Sequence, residues 1–250
     1  LCSSWAHVCM FVESMLIRIQ FNIEYLGDNL STSNSYLVIG NHQSMADIPV
    51  LMKAVHGKIP FMRFFAKAQL KKVPIFGFAW RSVDCPFMHR YSKEYLDKNP
   101  HLKGQDLLKT IESCQRLRFS PVSITNFLEG TRLTQKKHAE LQSPYQYLLP
   151  PRAGGVALAI AALEGQLTHL VDVVIYYHQP QHELWDYLSG RIKEISIQVK
   201  VSRVPVHFYQ GDYQNDPAFR QEFQTWLNQL WLEKDAFLTG LNEANQTKSA

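Results

Sequence analysis

Cysteine is scarce in this sequence, and its four cysteines stand far apart along the 250 residues. They are Cys2, Cys9, Cys85 and Cys114; no CxxC pair occurs, and no histidine lies at the spacing that a zinc site needs. Neither a metal site nor a disulfide framework is therefore predicted. Free cysteines are typical of proteins in a reducing compartment, so a cytoplasmic setting is the simpler prediction.

The sequence also lacks a clean apolar run long enough to cross a bilayer, which needs about 20 residues. The opening segment is apolar but is interrupted by His7, Glu13 and Arg18. We predict that residues 1–26 form an amphipathic helix that lies on the membrane or packs on the domain. No cleavable signal peptide is recognisable. Because the first residue is Leu1 rather than Met, the segment is also compatible with the end of a spanning helix that begins upstream.

Charged residues are few, at 19% against 46% apolar residues, and the net charge is only +4. Such a composition argues against a largely disordered chain and favours a single large α/β domain, which we assign to residues 27–250. The modest basic excess suits an anionic membrane surface or a phosphorylated substrate as well as an ordinary solvated surface. It does not indicate nucleic acid as a partner.

Apolar, β-branched runs alternate along the chain with segments of helical periodicity. This alternation predicts a mixed, largely parallel sheet flanked by helices, preceded by the N-terminal amphipathic or membrane-associated helix. Strands are predicted at 36–39, 122–128, 170–177 and 195–201, and helices at 105–117, 154–163 and from Asp216-Pro217 onward. One apolar face of the last helix is predicted to contact the core, and only residues 246–250 to form a loose tail.

The end of the first predicted strand carries a histidine and a carboxylate. His42 and Asp47 follow the buried run of residues 36–39, in the position where open α/β sheets place their chemistry. On a continuous helix their side chains would stand about 140° apart, so a sharp turn is needed to bring them together. Asp47 would then fix the tautomer of the imidazole and leave its other nitrogen free as a general base. A merely structural histidine is compatible with the same spacing.

The strand predicted at 122–128 ends in a second polar cluster, Glu129-Gly130-Thr131-Arg132. The cluster combines a permanent cation, suited to paired phosphate oxygens, with a hydroxyl donor and with a glycine that lets the backbone approach a ligand. It predicts a phosphate-binding loop. The alternative interpretation is a turn in which Glu129 and Arg132 pair on the surface.

Further cations are candidates for the same role. Arg90, at the end of an apolar stretch, is a second candidate phosphate contact and Lys67 a third, although a single cation of this kind is more often solvated. The basic run of residues 136–138 follows the Thr131-Arg132 pair. We hypothesise that this run lies near the membrane or the acyl donor.

Three parts of the sequence, taken in order, resemble the motifs of the glycerolipid acyltransferases that make phosphatidic acid from lysophosphatidic acid. They are Asn41-His42-x4-Asp47, Arg90 and Phe127-Leu128-Glu129-Gly130-Thr131-Arg132. The resemblance runs from about residue 36 to residue 177, and it is strongest to a bacterial inner-membrane subgroup of 1-acylglycerol-3-phosphate acyltransferases. It implies that His42 is the general base and that Asp47 orients it. It also implies that the acceptor phosphate is bound by Arg90, Glu129, Gly130, Thr131 and Arg132.

The same resemblance implies substrates and a location. The donor is expected to be acyl-ACP or acyl-CoA, and the acceptor a lysophospholipid, foremost 1-acylglycerol 3-phosphate, at the cytoplasmic face of the bacterial inner membrane. No cofactor or metal is expected. A serine hydrolase is a weak rival because no GxSxG elbow occurs. A non-catalytic lysophospholipid- or membrane-binding protein, and transfer to another lysophospholipid, stay open as alternatives.

Overall fold

The computed structural model describes residues 18–64, 66–67, 85, 87–88, 99, 105–180, 182–213 and 215–249. Its strands are β1 (Gln20–Gly27), β2 (Tyr36–Gly40), β3 (Met62–Phe64), β4 (Ala66–Lys67), β5 (Phe87–Met88), β6 (Ser123–Phe127), β7 (His169–Tyr177) and β8 (Glu194–Arg203). Its α-helices are α1 (Asp47–Val55), α2 (Gln105–Cys114), α3 (Gln135–Glu140), α4 (Gly154–Ala162), α5 (Leu184–Leu188) and α6 (Pro217–Ser249).

Six of the strands form one sheet in the order β1-β8-β7-β2-β6-β3, while β4 and β5 form a separate parallel pair. Within the large sheet every neighbouring pair is parallel except β7 and β8, which are antiparallel. The predicted class, a mixed and largely parallel sheet with flanking helices, is therefore confirmed. The helix predicted at 105–117 is α2 followed by a 3₁₀ turn at Gln115–Phe119.

The central strand β2 divides its side chains between two cores. Leu37 and Ile39 belong to the core that contains α4 and α6, and Tyr36 and Val38 belong to the core beneath α1. All four are fully buried. A strand buried on both faces needs a continuous apolar run rather than an alternating one, which is why residues 36–39 are uniformly apolar.

The last helix, α6, begins as its sequence predicts. Oδ1 of Asp216 accepts the backbone N–H groups of Ala218 and Phe219 at 2.9 and 3.1 Å, so Asp216 satisfies two of the free donors at the helix start. The predicted apolar face of α6 packs into the core, where Phe223 and Trp231 are fully buried. The prediction of a loose tail was wrong, because α6 continues through Ser249.

The N-terminal prediction needs a correction. The end of the predicted helix over residues 1–26 is instead β1, which pairs in parallel with β8 at the edge of the sheet. Phe21 and Ile23 pack on the core while the alternating residues Gln20, Asn22 and Glu24 are exposed, which is the two-residue period of a strand. Residues 1–17 lie outside the part that the structure describes. Within the described part, no helix combines the length and apolar character needed to span a bilayer.

Candidate active site

Three parallel strands end at the same edge of the sheet, because β2 lies between β6 and β7 and runs parallel to both. The two polar clusters predicted from the sequence follow β2 and β6. They are in direct contact, since the backbone N–H of Leu133 donates to the carbonyl oxygen of His42 at 2.7 Å. The histidine and the Glu129–Arg132 cluster therefore form one site at the carboxyl ends of the strands, where ligands bind in open α/β sheets.

The imidazole of His42 is held between a carboxylate and an aromatic ring. Its Nδ1 lies 2.9 Å from Oδ2 of Asp47, and its ring stacks on Phe127 with the centroids 4.3 Å apart. Because a carboxylate only accepts hydrogen bonds, the ring proton is on Nδ1 and Nε2 keeps its lone pair. No group in the described part of the chain hydrogen-bonds to Nε2, and the side chain is 13% exposed. Nε2 can therefore accept a proton from a ligand.

The sharp turn that this pairing requires lies between His42 and α1. The backbone N–H groups of Gln43 and Ser44 both donate to Oδ2 of Asp47, at 2.6 and 2.9 Å, and Oγ of Ser44 accepts the N–H of Ala46 at 3.0 Å. Asp47 is fully buried as the first residue of α1. The turn is thus organised around the same carboxylate that orients the histidine.

Two residues to which the sequence analysis gave no role support this arrangement. Tyr177, the last residue of β7, donates its hydroxyl to Oδ1 of Asp47 at 2.7 Å. Burial, reinforced by the Asp47 carboxylate, holds the pKa of Tyr177 well above its usual value, so the phenol keeps its proton. The side chain of Asn41 bonds both the N–H and the C=O of Ile175 at 2.9 Å. The end of a predicted strand was the signal that could have indicated Tyr177.

Glu129 has a different role from the predicted one. It is 1% exposed, and its two carboxylate oxygens accept the backbone N–H groups of His42 and Leu149 at 3.0 and 3.1 Å. Burial raises the pKa of Glu129 to about 8, against the opposing pull of these two donors and of the Lys234 ammonium. The predicted contact of Glu129 with the acceptor phosphate is therefore corrected: this carboxyl group joins two loops behind the site.

The residues after Glu129 turn outward. Gly130 has φ +67°, a conformation that a side chain would strain. Arg132 Nη1 lies 3.2 Å from Oε2 of Glu183, and both side chains are substantially exposed. The alternative interpretation, a surface pair between Glu129 and Arg132, was therefore wrong. Since an exposed ion pair contributes only about 0–1 kcal/mol, a phosphate group can replace Glu183 as the partner of Arg132.

Lys137, on α3, adds a second cation to this loop. Its Nζ donates to Oγ1 of Thr131 and lies 3.3 Å from the carbonyl oxygen of Arg132. The neighbouring Lys136 pairs with Glu140 at 3.9 Å. Lys137 thus stands beside the predicted phosphate-binding residues, while a contact of the run 136–138 with the membrane or the donor stays a prediction.

The other two predicted phosphate contacts are Lys67 and Arg90. Lys67 belongs to β4, which pairs with β5 and not with the large sheet. Its side chain lies outside the described residues, as does the whole of Arg90. Their roles stay predictions from the motif resemblance.

With this geometry established, residues 22–177 match the protein family described as Acyltransferase. The match covers more than half of the chain and contains both polar clusters of the site. The chain therefore belongs to the acyltransferase family.

The chain is also similar to proteins that are named acyltransferases. The chain is 26% identical to mouse lysocardiolipin acyltransferase 1, over 88% of this chain and 58% of that protein. It is also 26% identical to mouse 1-acyl-sn-glycerol-3-phosphate acyltransferase gamma, over 94% and 61%. Identity to the budding yeast (Saccharomyces cerevisiae) 2-acyl-1-lysophosphatidylinositol acyltransferase is 26%, over 69% and 52%. The chain thus spans between about half and three fifths of the length of these three relatives.

Proposed function

We propose that this chain transfers a fatty acyl group from an acyl thioester to the free hydroxyl of a lysophospholipid. Nε2 of His42 takes the proton of the acceptor hydroxyl while that oxygen attacks the thioester carbonyl. A C–O bond forms, the tetrahedral intermediate collapses with cleavage of the C–S bond, and the thiol leaves with the proton that the imidazole carried. No acyl-enzyme is required.

The observation that carries this proposal is the hydrogen bond from Leu133 to the backbone of His42, which joins the residue with the oriented imidazole to a loop that bears two cations. A base whose Nε2 is available stands beside Arg132 and Lys137, which suit a phosphate group. A phosphorylated alcohol held by these cations has its hydroxyl near the base. Proton removal by a positioned base contributes about 10²- to 10⁴-fold, and holding the two substrates together supplies much of the rest.

The acceptor that we propose first is 1-acylglycerol 3-phosphate, which would give phosphatidic acid. The mouse gamma relative is named for this acceptor, while the other two relatives are named for lysocardiolipin and lysophosphatidylinositol. A phosphate ester is common to all three acceptors and matches the cations of the site. Acyl-CoA or acyl-ACP is the proposed donor. Membership of a bacterial inner-membrane subgroup rests on the sequence motifs alone, since these three relatives are eukaryotic.

We further propose that the chain works at the cytoplasmic face of a membrane, with α5 against the lipid. Leu184, Trp185 and Leu188 of α5 are 37%, 70% and 52% exposed. They follow Glu183, the partner of Arg132, so the apolar side chains stand next to the proposed phosphate site. An exposed tryptophan among leucines suits the boundary between headgroups and acyl chains.

Two rivals make different predictions. A serine or cysteine hydrolase needs a nucleophile on the base, and in the described part of the chain no hydroxyl or thiol side chain hydrogen-bonds to the His42 ring. The harder rival is a lipid-binding protein that retains Arg132 but has no transferase activity. Such a protein binds lysophospholipid and produces no new ester bond.

The test supplies isotopically labelled acyl-CoA or acyl-ACP with lysophosphatidic acid and other lysophospholipids, and identifies products by mass. We expect transfer by the parent protein and a loss of about 10²- to 10⁴-fold in His42→Ala, because the variant has no base. Lysophospholipid binding, measured by calorimetry, should be retained since Arg132 and Lys137 remain.

His207→Ala is the matched control, because His207 pairs with Glu222 at 3.0 Å and has no place in the proposed mechanism. Its activity should equal that of the parent. Binding without any transfer by the parent protein would support the lipid-binding rival, and full activity in His42→Ala would remove the proposed base.

A further inference from the structure

Arg152, a residue outside both polar clusters, lies against the proposed phosphate-binding loop. Its backbone N–H donates to the carbonyl oxygen of Leu128 at 2.8 Å, so its segment is fastened to the start of that loop. A Cβ atom added to Gly130 would stand 3.4 Å from Cδ of Arg152, 3.7 Å from Nε and 3.8 Å from Nη1. The guanidinium group of Arg152 therefore lies beside the loop at Gly130, one residue before Thr131.

The charge of Arg152 is not balanced by the protein that surrounds it. The residue is exposed, and in the described part of the chain no carboxylate pairs with its guanidinium group. Lys137 has neutral partners only, since its Nζ bonds the Thr131 hydroxyl and the carbonyl oxygen of Arg132. Arg132 differs, because Glu183 already balances its charge. Two of these three cations are thus without a balancing carboxylate among the described residues.

The start of α4 adds to this positive potential. The helix begins at Gly154, two residues after Arg152, and no acidic residue lies in its first turn. The N-terminus of an α-helix carries roughly half a positive charge and free N–H groups, so it attracts anions. An anion bound at Arg152 is therefore stabilised by the helix as well as by the guanidinium group.

Two unbalanced cations suit a ligand that carries two negative charges. A phosphomonoester carries about −1.5 to −2 charges at pH 7, whereas a phosphodiester carries a single one. We infer that Arg152 is a specificity-determining residue, which contacts the acceptor phosphate and favours a phosphomonoester over a phosphodiester. The inference rests on the proposed function, in which Arg132 and Lys137 hold the same phosphate group.

A phosphate of the donor is the other source of this chemistry, because CoA and the phosphopantetheine arm of ACP both carry phosphate. The attachment of Arg152 to the loop at Leu128 and Gly130, next to Thr131 and Arg132, favours the acceptor. Kinetics separate the two sources, because loss of a donor contact raises the KM of the thioester whichever acceptor is used.

The test compares lysophosphatidic acid with its phosphate methyl ester, which has nearly the same size and one ionisable oxygen fewer. The assay is run at pH about 7.5, above the second pKa of the phosphate at about 6. In Arg152→Gln we expect kcat/KM for lysophosphatidic acid to fall about tenfold or more, the scale of a lost hydrogen bond to a charged group. Because Coulomb energy is proportional to the ligand's charge, the methyl ester should lose about the square root of that factor, about threefold.

Two further variants support the comparison. Arg152→Lys keeps the charge and should keep the larger part of the preference for lysophosphatidic acid. Arg203→Gln is the matched control, because Arg203 is also exposed and its Nε lies 3.9 Å from Asp28. Arg203 stands opposite His169, the first residue of β7, and so at the far end of that strand from the site. This variant should change neither acceptor.

Equal losses for the two acceptors in Arg152→Gln would overturn the inference, since a defect in packing or folding does not depend on the charge of the ligand. A raised KM for the thioester would also overturn it, because the phosphate at Arg152 would then belong to the donor. Calorimetry with the same two ligands keeps the proposed function separate. If the parent binds both ligands without transfer, and Arg152→Gln weakens binding of lysophosphatidic acid more, the proposed function fails and the selectivity assigned to Arg152 stands.

Discussion

A carboxylate can orient an imidazole only if it is itself held in place. Asp47 is bonded by His42, by two backbone N–H groups of the preceding turn and by the Tyr177 hydroxyl. Hydrogen bonds to an ionised group are roughly twice as strong as neutral ones. This shell favours the tautomer in which Nε2 can accept a proton, so under the proposed mechanism the residues around Asp47 affect the rate as well as the stability.

Tyr177→Phe should therefore lower kcat by about tenfold and leave the KM of the acceptor nearly unchanged. The variant removes one hydrogen bond to a charged group, worth about 1.5–3 kcal/mol, without touching the phosphate-binding loop. Steady-state kinetics with lysophosphatidic acid, accompanied by thermal unfolding, measure both effects.

Tyr209→Phe is the control for that prediction, because the Tyr209 hydroxyl donates to the carbonyl of Val204 and not to Asp47. It should retain the parent kcat. If both variants lose activity only in proportion to their loss of folded protein, Tyr177 is a packing residue and does not act through Asp47.

At the scale of elements, Glu129 connects segments that are distant in the sequence. Its carboxyl group bonds the loop after β2 at His42 and the loop before α4 at Leu149. Trp231 of α6 donates its ring N–H to the carbonyl oxygen of Leu149 at 3.0 Å. Lys234 bonds Asp172 and the carbonyl oxygen of Val173 on β7. The long helix thus supports the active-site loops from behind.

This support predicts a pH-dependent stability. Burial raises the pKa of Glu129 to about 8 from an ordinary value of 4.5, so between these values the folded state binds more protons than the unfolded state. The contribution is fully present below the unfolded pKa and is lost as the pH rises through about 8. Glu129→Gln cannot titrate, so the free energy of unfolding of the parent relative to the variant should decrease from pH about 5 to about 9.

Urea unfolding across that pH range measures the difference. Glu233→Gln is the control, because its hydrogen bond to Lys200 lowers the pKa of exposed Glu233 and confines its effect to acid pH. The control should follow the parent over the tested range. A constant difference between parent and Glu129→Gln would show that Glu129 does not titrate there.

At the scale of the whole molecule, one group of exposed apolar side chains, on α5, follows Glu183, the partner of Arg132. The strand ends carry the proposed base and the proposed phosphate-binding loop, and the exposed Trp185 of α5 comes two residues after Glu183. A lipid acceptor could then reach His42 from the membrane without first entering bulk water. In the proposed arrangement, the orientation of the chain on a membrane is tied to its chemistry.

Trp185→Ser should weaken binding to anionic liposomes by about five- to tenfold, since it removes part of the apolar area that would enter the interface. Transfer to a short-chain, water-soluble lysophospholipid should be unaffected. Liposome co-sedimentation and activity assays measure the two effects separately.

Phe119→Ser serves as the control. Phe119 is 91% exposed but precedes β6, so it lies toward the amino ends of the parallel strands, opposite the proposed site. Equal loss of liposome binding in both variants would mean that α5 has no special role in membrane contact. Unchanged binding in Trp185→Ser would remove α5 from the proposed orientation.

The sequence by itself determined the features that depend on neighbouring residues. Residues 36–39 indicated a doubly buried strand, Asp216 indicated the start of α6, and the spacing of His42 and Asp47 required a turn that the structure contains. Each follows from side-chain period, capping or chain geometry within a few residues.

Tertiary structure alone decided which distant segments meet. Residues 20–27 became an edge strand because β8, more than 160 residues later, offers them a parallel partner. Glu129 does not face the proposed phosphate site because its oxygens accept the N–H groups of His42 and Leu149. Tyr177 contacts Asp47 because β7 lies beside β2. Such contacts depend on strand order, which the local sequence pattern does not encode.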